Sequence, residues 1–386
     1  MKKSYLMIAA AAALFAACAE NDTFKDVDTR DVRIGFESKY TSKPTKAEIN
    51  DAWLTADGSN FGVYGFKYAE GASNTIQLFD NEQVTYETSK TDWTHTTIRY
   101  WDKAALDAYY FYACAPYSSS TVFNRTAVSP ATTTGFEYDL GTQVFADVTT
   151  SATIDLCVAQ VEETDYNECY SPGTTTASDG HVSFTFSHVL SKLSFAVKSE
   201  GFSTSHKVIL RSIKVVFPTA SNAKWIQTAK NANPGKVTYT GWTNPSIADL
   251  TNLTAADLAK FNTTVFEDND NVTTNDVVVT TTAASLFTTS SVYTRANSYI
   301  VTPNAIAEQA ADQQKHKIYL EVKYDIDYND ASGTIDSQTA YGVVEQQFEQ
   351  DYHYTLIVNI KPAEIRFDVD AVQGFTNTAS FGADVE

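Results

Sequence analysis

Residues 182 to 197 read Val-Ser-Phe-Thr-Phe-Ser-His-Val-Leu-Ser-Lys-Leu-Ser-Phe-Ala-Val. Val182, Phe184 and Phe186 fall on one side of an extended chain and Ser183, Thr185 and Ser187 on the other, the period of a strand with one buried face. The parity then flips, because Leu193, Phe195 and Val197 occupy odd positions. A strand keeps a strict period of two, so the chain must bulge or break between His188 and Lys192 if both halves are to face one core. Upstream lie aromatic-rich candidate strands; downstream, after the turn-like Ser199-Glu-Gly201, a second set opens with Val208-Ile-Leu210. The stretch reads as the closing strand of one domain and the way into the next.

A chain of 386 residues is long for a single hydrophobic core, which predicts two domains, residues 19–200 and 201–386. With 22 Tyr, 22 Phe, many Thr and Val and only 2 Met, the composition favours sheet over helix, and the expected class is all-β. The formal net charge of −19 leaves no basic stripe to neutralise phosphates, which argues against a nucleic-acid partner. Surface acids that keep an exported protein soluble are the plain account of that charge.

Residues 1–18 run from Met-Lys-Lys through an apolar stretch, Tyr5 to Phe15, to Ala16-Ala17-Cys18. A short basic head, an apolar core too short to span a bilayer and small residues before its end make a signal peptide. A Cys directly after the small residues resembles a bacterial lipoprotein signal, in which Cys18 becomes the acylated N-terminus; an ordinary secretory signal cut nearby is the alternative. Residues 19–30 read as a polar tether. Cys114, Cys157 and Cys169 allow at most one disulfide, so bridges are not the framework of the fold, and Cys157 reads as a small core residue.

Val32, Ile34 and Phe36 alternate with polar positions and predict a first strand over residues 31–38, followed by an exposed loop from Lys39 to Ile49. Further strands are expected at 61–68, 93–101, 109–116 and 154–159, with a Ser/Thr-rich loop at 118–135. In the second half they are expected at 207–217, 236–240, 276–281, 298–302, 317–328, 340–346 and 352–369. In the 317–328 strand, Ile318, Leu320, Val322, Tyr324, Ile326 and Tyr328 face one way, with Lys317, Glu321, Lys323, Asp325 and Asp327 towards water. One helix is expected over 247–260, with Thr254 and Asp257 placed to cap a restart. Short strands without alternating helices point to two β-sandwiches in tandem.

Asp325, Asp327, Asn329, Asp330 and Asp336 imitate a calcium-loop spacing, but the sixth position is Asp330 instead of Gly and the flanks are strands, so a hairpin turn is the better reading. Glu267 to Asn271 is likewise a polar loop first. His181 and His188, seven apart in a strand, would face opposite ways and form no metal pair, and no cofactor or metal site is expected. No nucleophile elbow, zinc-protease helix or phosphate loop occurs, so the expectation is no catalytic residue and no enzyme. Trp53, Trp93, Trp101, Trp225 and Trp242 could make a glycan-binding platform, the main competing idea, although aromatics in strands are more often core.

Phe61-Gly-Val-Tyr-Gly-Phe66, Arg99-Tyr-Trp101, Tyr110-Phe-Tyr-Ala-Cys-Ala-Pro116, Asp155-Leu-Cys-Val-Ala159, Phe186-Ser-His-Val-Leu-Ser-Lys-Leu193 and Tyr352-His-Tyr-Thr-Leu-Ile-Val358 occur in that order. With the lipoprotein-like start, this series resembles the fimbrillin family of Bacteroidales bacteria, the lipoprotein subunits of type V pili. The resemblance implies two transthyretin-like β-sandwiches and export to the outer membrane as a lipid-anchored precursor. It also implies proteolytic loss of the first strand (Val32, Ile34, Phe36) and assembly into a cell-surface fimbria by strand exchange. The implied partners are further copies of the chain or related pilins, outer-membrane lipid through Cys18, surface ligands in adhesion, and a trypsin-like or Lys/Arg-specific protease. In relatives the cut follows a basic residue, often Arg before Ala; the matching position is Lys46-Ala47, where Lys replaces Arg. That no cut occurs is the alternative.

Overall fold

The computed structural model describes residues 32–40, 54–68, 75–102, 108–117, 123–125, 136–141, 145–147, 155–164, 180–220, 222–226, 236–241, 243–268, 276–286, 293–295, 299–303, 315–362 and 365–373. The fold is all-β, with strands numbered β1 to β23 in chain order. A seven-stranded sheet runs in the order β1 (Gly35–Tyr40), β10 (His181–His188), β9 (Cys157–Thr164), β5 (Ala108–Ala115), β2 (Asn60–Tyr68), β3 (Thr75–Glu87), β4 (Asp92–Thr94). Its ladders are antiparallel except that β1 lies parallel to β10. The chain beyond β4 returns to the opposite edge, where Tyr100 bridges Arg33, so the sheet curls around one aromatic-rich cluster.

The expected strand over 93–101 is corrected: only Asp92–Thr94 is strand. The Glu82 carboxylate explains the departure, since it accepts hydrogen bonds from the backbone N–H and hydroxyl of both Thr96 and Thr97 and so draws that segment off the ladder.

The 182–197 stretch does break, but not to bring both halves to one core. β10 ends at His188 and β11 spans Ser191–Ser199, with a bend at Val189 and Leu190, both fully buried. The two halves line different clusters: Val182, Phe184 and Phe186 the first, Leu193, Phe195 and Val197 the second. The change of sheet thus comes at residues 189–190, about one strand length ahead of residue 200.

Two facing sheets enclose the second cluster. One runs β23 (Ile365–Gln373), β22 (Tyr352–Ile360), β11, β19 (Tyr299–Val301), β8 (Phe145–Asp147), with β17 (Ala284–Ser285) also on β11. The other runs β18 (Tyr293–Arg295), β15 (Thr263–Asp268), β12 (Lys207–Val216), β20 (His316–Asp327), β21 (Ile335–Gln346), with β16 (Val277–Val279) also on β12. A four-stranded sheet mixes the two halves of the chain: β14 (Lys236–Thr240), β13 (Asn222–Ile226), β7 (Phe136–Gly141), β6 (Phe123–Arg125). β6 falls within the expected 118–135 loop, and the expected 352–369 strand is a β22–β23 hairpin that turns at Lys361-Pro362, where proline has no N–H for a ladder. The expected 247–260 helix is one turn, α1 (Ala255–Leu258), with a capping box made by Thr254 and Asp257.

The outward face expected for β20 is corrected at two positions. Glu321 and Asp325 are buried, while Lys323 is exposed. Arg211 is the extra residue of a bulge in β12, between Leu210 paired to Tyr324 and Ser212 paired to Lys323. The bulge aims its guanidinium at Asp268, Asp276 and Asp325, each 2.6 Å away. Glu321 accepts from the Tyr341 hydroxyl at 3.2 Å, beneath a small apolar cluster of Ile247, Phe261 and Tyr319. The 325–336 region is a hairpin turn: Asp327 accepts from Asn329 N–H, and Asp330 from Ser332 and Thr334 N–H.

Candidate functional site

The seat of the first strand is the feature from which a function can be argued. Ile34 and Phe36 are fully buried and Val32 is half-buried against the same cluster, the face their alternation predicts. The expected bounds 31–38 are corrected: Val32 and Ile34 lead into β1, which takes in Lys39 and Tyr40 because these pair with Thr185 and Phe186 of β10. Phe36 sits among Phe79, His95, Phe111 and Phe184, with ring centroids 5.1 to 5.9 Å away. Two such side chains contribute about 1.5–3 kcal/mol each by burial.

Backbone pairing holds both edges of the segment. On one edge, residues 35–40 run in parallel register with 181–186, and Gly35 N–H donates to the Gly180 carbonyl at 3.2 Å. On the other, Ile34 N–H donates to Arg99 O at 2.9 Å and Trp101 N–H to Val32 O at 3.1 Å. Gly180 lets the chains approach: its φ is +85°, and a Cβ there would lie 2.4 Å from Val32 Cγ1 and 2.8 Å from Arg33 O. The Trp101 indole N–H donates to Gly180 O at 2.8 Å and braces that corner.

Two titratable groups attend the strand. His95 Nε2 lies 3.2 Å from Ile34 O, which makes that nitrogen the donor. Burial pushes the His95 pKa below its ordinary value, against the opposing pull of Glu82 and the carbonyls. For Glu82, burial works upward, but the bonds from Thr97 and Thr96 outweigh it and hold the carboxyl below its ordinary value.

Cys18, Lys46 and Ala47 lie outside the described residues, as do Trp53, Trp242 and Cys169. Trp93 and Trp101 are buried in the first cluster, packed on Phe61, Tyr86, Tyr109 and Phe111, so neither serves a glycan platform. Cys114 and Cys157 are both buried and form no disulfide with each other; their ladder partners, Val158 and Ala115, put them on opposite faces. His181 is half-buried beside Gly35, whereas His188 is buried with Asp155 and Cys157. Sequence reasoning missed that trio and the His95 and Glu82 contacts, because each joins segments more than ten residues apart in the chain. The one available signal was Gly180, a turn residue just ahead of a clear strand.

A family model described as fimbrillin-like matches residues 45–372. The chain belongs to the fimbrillin-like family. Among solved structures, this fimbrillin-like chain is similar to a fimbrial protein from Bacteroides vulgatus, with 17% identity and a TM-score of 0.53 over 88% of this chain and 99% of that one. That likeness shows a shared fold. Weaker matches are a candidate cell adhesion protein from Bacteroides uniformis (17%, TM-score 0.40, 88% and 97% covered) and the tip fimbrial protein Mfa3 from Porphyromonas gingivalis (10%, 0.34, 89% and 100%). No curated protein matches the chain.

Proposed function

We propose that this protein is a non-enzymatic structural subunit of a cell-surface fimbria, exported as a precursor lipidated at Cys18 and anchored in the outer membrane. A cut after Lys46 then frees the first strand, and a strand from another subunit takes its place. The observation that carries this reading is the seat of β1. A terminal segment places Ile34 and Phe36 wholly inside the cluster, yet it is joined to the sheet through one parallel ladder and a few bonds at Arg99 and Trp101. Its loss would leave an apolar slot and unpaired N–H and C=O groups along β10, which an incoming strand with alternating apolar residues would satisfy. The same reading takes the chain as two tandem domains, joined where Val189 and Leu190 carry it from one sheet to another.

The test is limited trypsin digestion of the parent and of Lys46→Ala, followed by sizing and electron microscopy. The parent is expected to lose its first 46 residues and multimerise, while Lys46→Ala stays monomeric. A parent that remains monomeric after a verified cut at Lys46 removes the groove as the assembly site. For the anchor, mass spectrometry of the membrane-derived N-terminus is expected to find a diacylglyceryl group on Cys18, and an unmodified N-terminus elsewhere would refute it.

A further inference from the structure

His188, the last residue of β10, stands opposite Cys157, the first residue of β9. Its Nδ1 lies 3.2 Å from Cys157 Sγ and 2.8 Å from an Asp155 carboxylate oxygen. All three ligand-type atoms fall within 4.8 Å of one another. Cys157 is fully buried and the His188 side chain is 1% exposed, while that of Asp155, at 10%, gives solvent a way in.

His188 Nδ1 thus lies within hydrogen-bonding distance of both the carboxylate and the sulfur, so one imidazole nitrogen faces two potential metal ligands at once. A cation at the centre would meet all three atoms with full bonds. Sulfur, imidazole nitrogen and carboxylate oxygen are zinc donors, and a thiolate with a carboxylate balances the charge of Zn²⁺. The loaded cluster would then carry no net charge, the condition burial demands.

We propose that Asp155, Cys157 and His188 form a zinc site at the end of β9 and β10, with water as the fourth ligand on the Asp155 side. Zinc bonds of about 2.0–2.3 Å at tetrahedral angles set neighbouring ligand atoms about 3.3–3.6 Å apart, so the two His188 separations lengthen by about half an ångström or less on loading. Cys157 gives its thiol proton to solvent as the metal–sulfur bond forms. The ion pins β10 to β9 beside the bend at Val189 and Leu190. Because β1 is the other neighbour of β10, the clamp keeps β10 in register whether or not β1 is present. The inference does not depend on the fimbrial reading.

The test is titration of the full chain with Co²⁺ as a spectroscopic stand-in, then with Zn²⁺. One Co²⁺ per chain is expected, with thiolate-to-metal absorption that one equivalent of Zn²⁺ abolishes. The band persists when Cys18, Cys114 and Cys169 are all replaced by Ala and disappears in Cys157→Val, which keeps the core volume. His188→Gln and Asp155→Asn each weaken Zn²⁺ binding by more than the about 10- to 100-fold that loss of an outer partner costs. No thiolate band in the parent overturns the proposal. So does its loss in the folded triple-Ala chain, or its survival in Cys157→Val, either of which places the metal on another cysteine.

Discussion

The two large buried clusters among the described residues are built from different side chains and closed in different ways. The first is a mesh of rings in which Phe36, Phe61, Phe79, Phe111, Phe184 and Phe186 meet Trp93 and Trp101. The second is mainly Leu, Ile and Val, supplied by long antiparallel ladders such as β12–β20 and β20–β21. A ring core concentrates burial in a few large inserts, so withdrawing the strand that carries Phe36 leaves a defined slot. An aliphatic core spreads burial over many strands, and its central strands β12 and β20 cannot leave without breaking ladders of nine to twelve residue pairs. On the proposed strand exchange, the first cluster is the one that opens and the second stays closed.

Alanine at the two ring positions tests this directly. Phe36→Ala and Phe195→Ala are each expected to destabilise the intact chain by about 3–5 kcal/mol in urea denaturation. After trypsin removes residues 1–46, the Phe36 variant should match the parent, whereas the Phe195 deficit should persist. A Phe36 deficit that survives the cut breaks the contrast.

Arg211→Met examines the bulge that ties β12 to β15 and β20. It strands Asp268, Asp276 and Asp325 without their cation and is expected to cost about 3–5 kcal/mol, with part recovered when the three acids are also made neutral amides. The guanidinium itself is desolvated, which lowers its pKa, but the three carboxylates more than offset that and raise it above its ordinary value. If the quadruple variant is no more stable than Arg211→Met, the cluster is not an electrostatic tie.

Acid should distinguish the two cores through their histidines. Burial among Phe145 and Phe348 holds His316 down to about 3, and His95 is shifted the same way less far. A base with a depressed folded pKa leaves stability intact above its unfolded value of 6.5 and removes it progressively below that. His316→Leu should therefore flatten the denaturation midpoint between pH 6.5 and about 3 more than His95→Leu does. An equal response from the two variants would contradict that order.

The smallest effect is expected at Glu82. Its depressed carboxyl contributes stability above its unfolded value near 4.5 that is lost as pH falls through the folded value. Glu82→Gln should cost about 1–2 kcal/mol at pH 7 and abolish that acid response. Hydrogen exchange at Thr96 and Thr97 should quicken, and Ile34 should follow through Arg99. Unchanged exchange at Ile34 would mean that the 95–101 segment does not hold the first strand.

The amino-acid sequence alone determined the strand character of this chain, the inward face of Val32, Ile34 and Phe36, the break in the 182–197 stretch and the cap at Thr254, because period-two alternation and capping are local properties. It also carried the resemblance to fimbrillins, through short motifs kept in order. Only the tertiary structure decided that β1 runs parallel to β10, that the two halves of 182–197 serve different cores, and that Asp325 turns inward to Arg211. It alone brought Asp155, Cys157 and His188 to one point. Which strand becomes whose neighbour, and which carboxylate meets which cation, depends on contacts between residues tens to more than a hundred positions apart, and the alternation within one strand is the same whichever partner lies beside it.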